Sequence, residues 1–399
     1  MNINLIALSI PIFFILILIE LSYSFYKKLG YYRLNDSISN LSQGTGQQLL
    51  DIFMKASLFF GYTYIYTNWR FFTIETTWIV AILLFIGVDF FYYWFHRMSH
   101  QVNALWAAHI VHHQSEEYNL TVALRQSWIQ GWFSWVFYLP LAFLGFNPIL
   151  FLTISSLVTL YQFWIHTKAI KHLGFLEYIL NTPSHHRVHH GSNPKYIDKN
   201  HAGTLIIWDK MFGTFQKEEE EVVYGITKPL ASWNPIWANL HYWNELLASA
   251  KKVSSFKDKV KLFIMPPGWQ PAELGGRQYA PEISIETYVK YNPDYSNKTA
   301  IYIIVQFLTG LIGGSLLIFY NANLLPYQLV MGAIYVVITL VSCGAFLDGK
   351  IWVKYFEAIR IIGLLIFFTI FNLVAYLIYG IIGVVLLLIW YIYILKNKN

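Results

Sequence analysis

Charge is scarce in this sequence. Of 399 residues only 13% are Asp, Glu, Lys or Arg, 56% are hydrophobic, and the mean hydropathy is +0.43. Soluble chains carry roughly twice that charged fraction, so a soluble enzyme is excluded and a bilayer must take up part of the apolar surface. Cysteine is nearly absent. Cys343 stands alone inside an apolar run, which excludes an intrachain disulfide and a cysteine-based zinc site. Any metal must be held by His, Asp or Glu. Lys/Arg-rich runs and nucleic-acid motifs are also missing, so the net charge of +6 reads as the basic excess of cytoplasmic loops and not as a nucleic-acid partner. Histidine, finally, is missing from both ends. All thirteen histidines fall between His96 and His241.

What is present in abundance is spans. A hydrocarbon core of about 30 Å needs roughly 20 apolar residues. Ile3–Phe25 is one candidate, and it reads as a retained anchor because it has no basic start and no small-residue cleavage site. Leu49–Tyr66, interrupted by Lys55, and Thr77–Phe95 follow. Gly131–Ile165 is predicted to be a helical hairpin turning at Gly145–Pro148. From Thr167 to Thr299 the chain is polar and water-facing, and the run Lys217–Glu221 is expected to be a solvated turn. Apolar runs resume at Ala300–Tyr320, Leu325–Leu347 and Ile361–Leu395, the last predicted to be two crossings joined near Gly380. Placing Lys27, Lys28, Arg33, Lys350, Lys354, Arg360, Lys396 and Lys398 in the cytoplasm fits one threading, which puts the histidine-rich segments on the cytoplasmic face.

The expected fold is all-α and polytopic, a helical histidine-rich cytoplasmic cap on a membrane helix core followed by a C-terminal transmembrane bundle. Four segments are expected: N-terminal spans over 1–84, a histidine domain over 85–216, a cytoplasmic loop region over 217–299 and the bundle over 300–399. The protein is read as an integral multi-pass protein, of the inner membrane in a bacterium or the endoplasmic reticulum in a eukaryote.

Three histidine clusters share one logic. They are His96 and His100 (HxxxH), His109, His112 and His113 (HxxHH), and His186, His189 and His190 (HxxHH). Residues three and four apart share a helix face, so each cluster is expected to present its imidazoles in one direction. Eight imidazoles exceed the needs of one metal ion and suit two with open positions. His166 ends the apolar hairpin as a further ligand candidate, and His185 is either a ligand or its neighbour. Asp89 lies on a stripe with Tyr93, His96 and His100, where it could accept an N–H from a ligating imidazole. Glu116, Glu117 and Arg125 follow the second cluster as further candidates near the site, while His172, His201 and His241 are expected at the surface or in loops. Imidazole suits several metals, but zinc has no redox chemistry, and two ions beside a membrane favour iron for activating O₂.

The ordered series HxxxH, HxxHH, HxxHH resembles the fatty acid hydroxylase/sterol desaturase superfamily of membrane di-iron oxygenases, over about residues 85–216. Within it the chain is most similar to the alkylglycerol monooxygenase family. The resemblance is carried by Trp106–His113 (WAAHIVHH), Glu117–Leu120 (EYNL), Ala123–Ser127 (ALRQS), Tyr161–Thr167 (YQFWIHT) and Leu180–Gly191 (LNTPSHHRVHHG). Asp198–Asn200 (DKN), Leu205–Phe215 (LIIWDKMFGTF) and Tyr224–Thr227 (YGIT) extend it. His201 departs from the pattern, which leads one to expect an aromatic residue there. The resemblance implies a di-iron, tetrahydrobiopterin-dependent monooxygenase that hydroxylates the ether-linked carbon of an O-alkylglycerol to release a fatty aldehyde. Two other readings stay open. One is a fatty acid, sterol or carotenoid hydroxylase or desaturase using a separate electron-transfer protein. The other is a metal transporter or sensor, which the interfacial position of the histidines disfavours.

Overall fold

The computed structural model describes residues 5–396, so Ile3 and Lys398 lie outside the described residues. Among these the chain is all-helical, with two isolated bridges, Leu180 with Leu205 and Gly191 with Tyr224, and no strand. Five helices are long and apolar enough to cross a membrane, as in an integral multi-pass protein. Two compact units appear, one of residues 1–230 and 239–290, the other of residues 231–238 and 291–399.

The first unit opens with α1 (Leu5–Tyr26), α2 (Leu34–Trp69), α3 (Trp78–Gln101) and α4 (Asn103–His113). The hairpin turns where expected but its first arm is broken. It consists of α5 (Gln130–Ser134), a 3₁₀ turn at Trp135–Tyr138 and α6 (Leu139–Leu144), followed by α7 (Pro148–Trp164). Two local features make the turn. Gly145 adopts φ +102°, and a Cβ there would meet the Phe72 carbonyl oxygen. Asn147 then caps α7, accepting from the N–H groups of Ile149 and Leu150, with Pro148 in the first turn. Tyr62, Ile65, Leu84, Val88, Leu141, Ala142, Ile154 and Val158 join α2, α3, α6 and α7 into one apolar core.

The run Leu49–Tyr66 is only part of the 36-residue α2 and is not among the five long apolar helices. The first half of α2 is buried and polar, with Asn35, Asp36, Ser39, Asn40, Ser42 and Gln43 inside. Beyond α7 come the short α8 (Pro183–His189) and α9 (Ile207–Met211), then α10 (Pro235–Lys252) and α11 (Phe256–Ile264).

The second unit holds α12 (Asn297–Tyr320), α13 (Pro326–Leu347), α14 (Val353–Ile370) and α15 (Leu377–Lys396). The sequence reading needs two corrections here. The last two helices are joined at residues 371–376, while Gly380 lies inside α15, where it lets the Phe368 ring approach. Lys354 and Arg360 belong to α14, not to a loop. Arg360 is buried because Glu357, one turn earlier, pairs with it at 2.6 Å, and Gln306, Tyr335 and Thr339 take up its remaining N–H groups. A charge counted as a topology signal is thus consumed inside the helix bundle.

A candidate metal centre of nine histidines

Two helix ends and one span bring the histidines together. α3 delivers His96 and His100 from its last turns, α4 ends on His109, His112 and His113, and α8 carries His186 and His189 with His190 as its C-cap. His166 follows α7 directly. The nine side chains form two buried groups, His96, His100, His109, His113 and His189 in one and His112, His166, His186 and His190 in the other, with ligand atoms in each group within 4.8 Å of one another.

The clusters do not each point one way. In both HxxHH runs the residue at i+3 joins a different group from those at i and i+4. On a helix, i and i+4 lie about 40° apart while i+3 falls on the other side of i, and the structure exploits that split. His112 therefore joins His186 and His190, and His189 joins His109 and His113.

Hydrogen bonds decide which nitrogen each ring offers. Nδ1 of His96 donates to the His201 carbonyl at 2.7 Å, His112 to the Arg125 carbonyl at 2.9 Å, His166 to the Gln162 carbonyl at 2.7 Å and His189 to the Lys199 carbonyl at 2.9 Å. His109 Nδ1 does the same toward Gln130 Oε1 at 2.8 Å. A carbonyl oxygen only accepts, so the proton sits on Nδ1 and Nε2 keeps a bare lone pair. These lone pairs converge, with His96 Nε2 3.0 Å from His109 Nε2 and His166 Nε2 3.0 Å from His186 Nε2. Nε2 of His100, His189 and His190 has no hydrogen-bond partner although buried.

Burial removes the remaining alternative, a proton between the rings. It holds His109 down to about 3 and His166 to about 4, and pushes His112, His113, His186, His189 and His190 well below the ordinary histidine range, with neighbouring imidazoles adding to the effect around all but His166. Facing lone pairs at such distances repel unless a cation stands among them. The donor set is all imidazole, with five of the nine rings holding Nδ1–H against an oxygen, and it fits a transition-metal ion.

The other expected site residues fall as follows. His185 stands outside both groups. One position from His186 it turns away along the helix, with Nδ1 3.5 Å from Thr182 Oγ1 and Nε2 4.0 Å from Glu177. Asp89 touches no imidazole. Its carboxylate accepts from the N–H groups of Thr204 and Leu205 and from Trp208 Nε1, and so grips the loop whose His201 carbonyl orients His96. Asp209 grips the same loop from the other side through the N–H groups of His201 and Ala202. Burial raises its carboxyl to about 6.

Arg125 is fully buried beneath α4. It donates to the Val111 carbonyl, Gln114, Ser39 and Asn40, while its own carbonyl orients His112. Glu116 and Glu117 pair with Arg33, and Glu117 also with Lys290. Glu218, in the run expected to be a solvated turn, instead forms a bidentate pair with Arg187, because that guanidinium next to His186 is buried and needs its charge met. His172 is half-exposed beside Glu177, but His241 is buried against Gln114 and His201 is completely buried, so neither is a surface residue.

Comparison with known proteins agrees with this architecture. A family model described as fatty acid hydroxylase matches residues 81–214. Over 87% of the chain and 78% of its relative's length, the sequence is 42% identical to an alkylglycerol monooxygenase of Xenopus tropicalis. It is 41% identical to the alkylglycerol monooxygenase of Homo sapiens over 88% of the chain and 79% of that protein. A shorter likeness, 29% over 35% of the chain and 43% of the relative, links it to the ornithine lipid hydroxylase OlsE of Rhizobium tropici. No solved structure matches. With two-fifths of its residues shared over most of both lengths, the chain belongs to the alkylglycerol monooxygenase family.

Proposed function

We propose that this protein is a membrane non-haem di-iron monooxygenase that cleaves O-alkylglycerols, with the nine clustered histidines as its metal ligands. The observation that carries the metal reading is the pair of buried all-imidazole groups, in which five of the nine rings have their Nδ1 protons committed to oxygen. The substrate follows from the likeness to alkylglycerol monooxygenases at 41–42% identity. Two iron ions bound there would supply the power to activate O₂ for insertion into a C–H bond.

The chain's own residues do the rest. Neutral histidines keep their Nε2 lone pairs available, the carbonyls of Gln162, Lys199, His201 and Arg125 hold the rings in one tautomer, and Asp89 holds the His201 loop. Burial of all nine rings excludes bulk water, which protects a strong oxidant from wasteful reduction. One oxygen atom enters the ether-linked carbon and the other leaves as water, with two electrons from tetrahydrobiopterin. The hemiacetal so formed collapses to fatty aldehyde and glycerol.

A cavity of about 500 Å³, lined in part by Tyr31, Glu116, Lys168, Arg187, Tyr224 and Tyr288, suits a small soluble reductant. Its wall residue Tyr224 stacks on Tyr118 at 4.9 Å, and Tyr118 packs 5.3 Å from the His190 ring. Positive charge at Lys27 and Lys28 supports a cytoplasmic position for this side of the molecule. The likeness to OlsE favours a second reading, hydroxylation of another polar lipid with a separate electron-transfer protein.

Aldehyde release separates the two. Iron-loaded membranes given an O-alkylglycerol, O₂ and tetrahydrobiopterin are expected to release aldehyde, and a His112→Ala protein is not. No aldehyde from iron-replete wild type would overturn the ether-lipid reading and leave the second.

A further inference from the structure

Both ring nitrogens of His201 are buried and neither meets a partner in hydrogen-bonding geometry, with only the Asp198 backbone near enough to act on the ring. The residue is 0% exposed. A buried polar group left in this state costs on the order of 1–3 kcal/mol, so an unspent donor and an unspent acceptor at one position call for a guest. Its place says where the guest sits. The His201 ring lies 5.0 Å from His100, 5.6 Å from His189 and 5.7 Å from His96, all members of the five-histidine group. Those three are 4.3 to 5.5 Å from one another. His201 therefore stands one step outside the ligand set, against its His96–His100–His189 side.

Five imidazoles around one ion would leave room for a further small ligand, and a sixth imidazole would take that room. We propose that His201 is not a ligand but a positioning residue. It hydrogen-bonds to a small exogenous molecule, a dioxygen-sized or triatomic anion, that takes the remaining position at the five-histidine group. The proposal rests on the metal-centre reading above. The loop is built to hold the ring still. Asp209 accepts from the N–H of His201, Asp89 from those of Thr204 and Leu205, and a Cβ on Gly203 would strike Tyr92 and Asp89. The His201 carbonyl, bonded to His96 Nδ1, is main chain and survives any side-chain substitution.

Azide is a suitable probe, since its complex with ferric iron absorbs visibly. The iron-loaded full chain in detergent would be titrated with azide as wild type, His201→Phe and His201→Asn, with iron content measured in each. Wild type and both variants are expected to hold equal iron. The Phe variant should bind azide about tenfold more weakly, the loss of one hydrogen bond, and Asn, which keeps a donor, should recover part of that. Equal azide affinity and an unchanged absorption band in the Phe variant would overturn the proposal. Iron loss from both variants would overturn it too, in favour of direct ligation. Wild type that retains no iron at all would instead sink the metal-centre reading, and this proposal with it.

Discussion

A neutral imidazole has one proton to give, and five of the clustered histidines spend theirs on an oxygen directed away from the group. That arrangement predicts a sharp acid sensitivity in the metal-free protein. An unfolded histidine takes up a proton near pH 6.5, whereas His109 and His166 do so only at about 3 and 4 in the fold. Between those values the unfolded chain binds more protons, so stability is full above about pH 6.5 and falls as the pH drops, by about 1.4 kcal/mol per unit for each such histidine. Thermal unfolding of metal-free protein in detergent should therefore move to lower temperature steeply below about pH 6.5, and a flat profile would contradict the neutral-cluster picture. His189→Ala is expected to lower bound iron and abolish activity, since it removes a ring from the five-histidine group. Asp89→Asn should do less. It weakens the grip on the 201–205 loop by one or two charge-assisted hydrogen bonds, about 2–4 kcal/mol, so iron is expected to be lost faster to a chelator without being absent at purification.

Helices and loops share the work of positioning, and the polar half of α2 is the clearest case. Its Ser39 and Asn40 accept from Arg125, Asp36 accepts from Ser115 and the Glu116 N–H, and two glycines let the loop after α4 come close. A Cβ on Gly44 would lie 2.4 Å from the Leu124 carbonyl oxygen, and one on Gly46 2.3 Å from the Trp128 ring. Gly44→Ala must therefore push the segment that carries Arg125, whose carbonyl orients His112. The expected result is a loss of about 1–3 kcal/mol in stability and a lower iron content, even though none of the clustered histidines has changed. A Gly44→Ala protein with wild-type melting and wild-type iron would show that α2 is a bystander.

On the scale of the whole molecule, the C-terminal unit poses its own question, because a Glu–Arg pair is buried in a helix bundle fit for a bilayer. Glu357 accepts from Arg360, Ser342 and Tyr302, and Arg360 also donates to Gln306, Tyr335 and Thr339, so every charge is met within the unit. Breaking such a pair from one side strands the other charge. Glu357→Leu or Arg360→Met alone should cost about 3–5 kcal/mol, while the double change should recover most of it. Melting of the three variants in detergent checks this, and simple additivity of the two losses would refute the coupling.

The residue types and spacings by themselves determined that the protein is helical, membrane-embedded and built around histidine, because span length and helical periodicity are local properties of the chain. They also located the turn at Gly145–Pro148, where a left-handed glycine and an N-capping Asn147 act within a few residues. What only the tertiary structure decided depends on partners distant in sequence. Asp89 meets residues 204–208 and not an imidazole, His201 is enclosed beside the clustered rings, Arg360 is neutralised inside its bundle, and each HxxHH run divides between two groups. Spacing along a helix says which faces residues occupy, but the choice of neighbour across each face is made only when the helices pack, since burial drives most polar atoms to find a partner there.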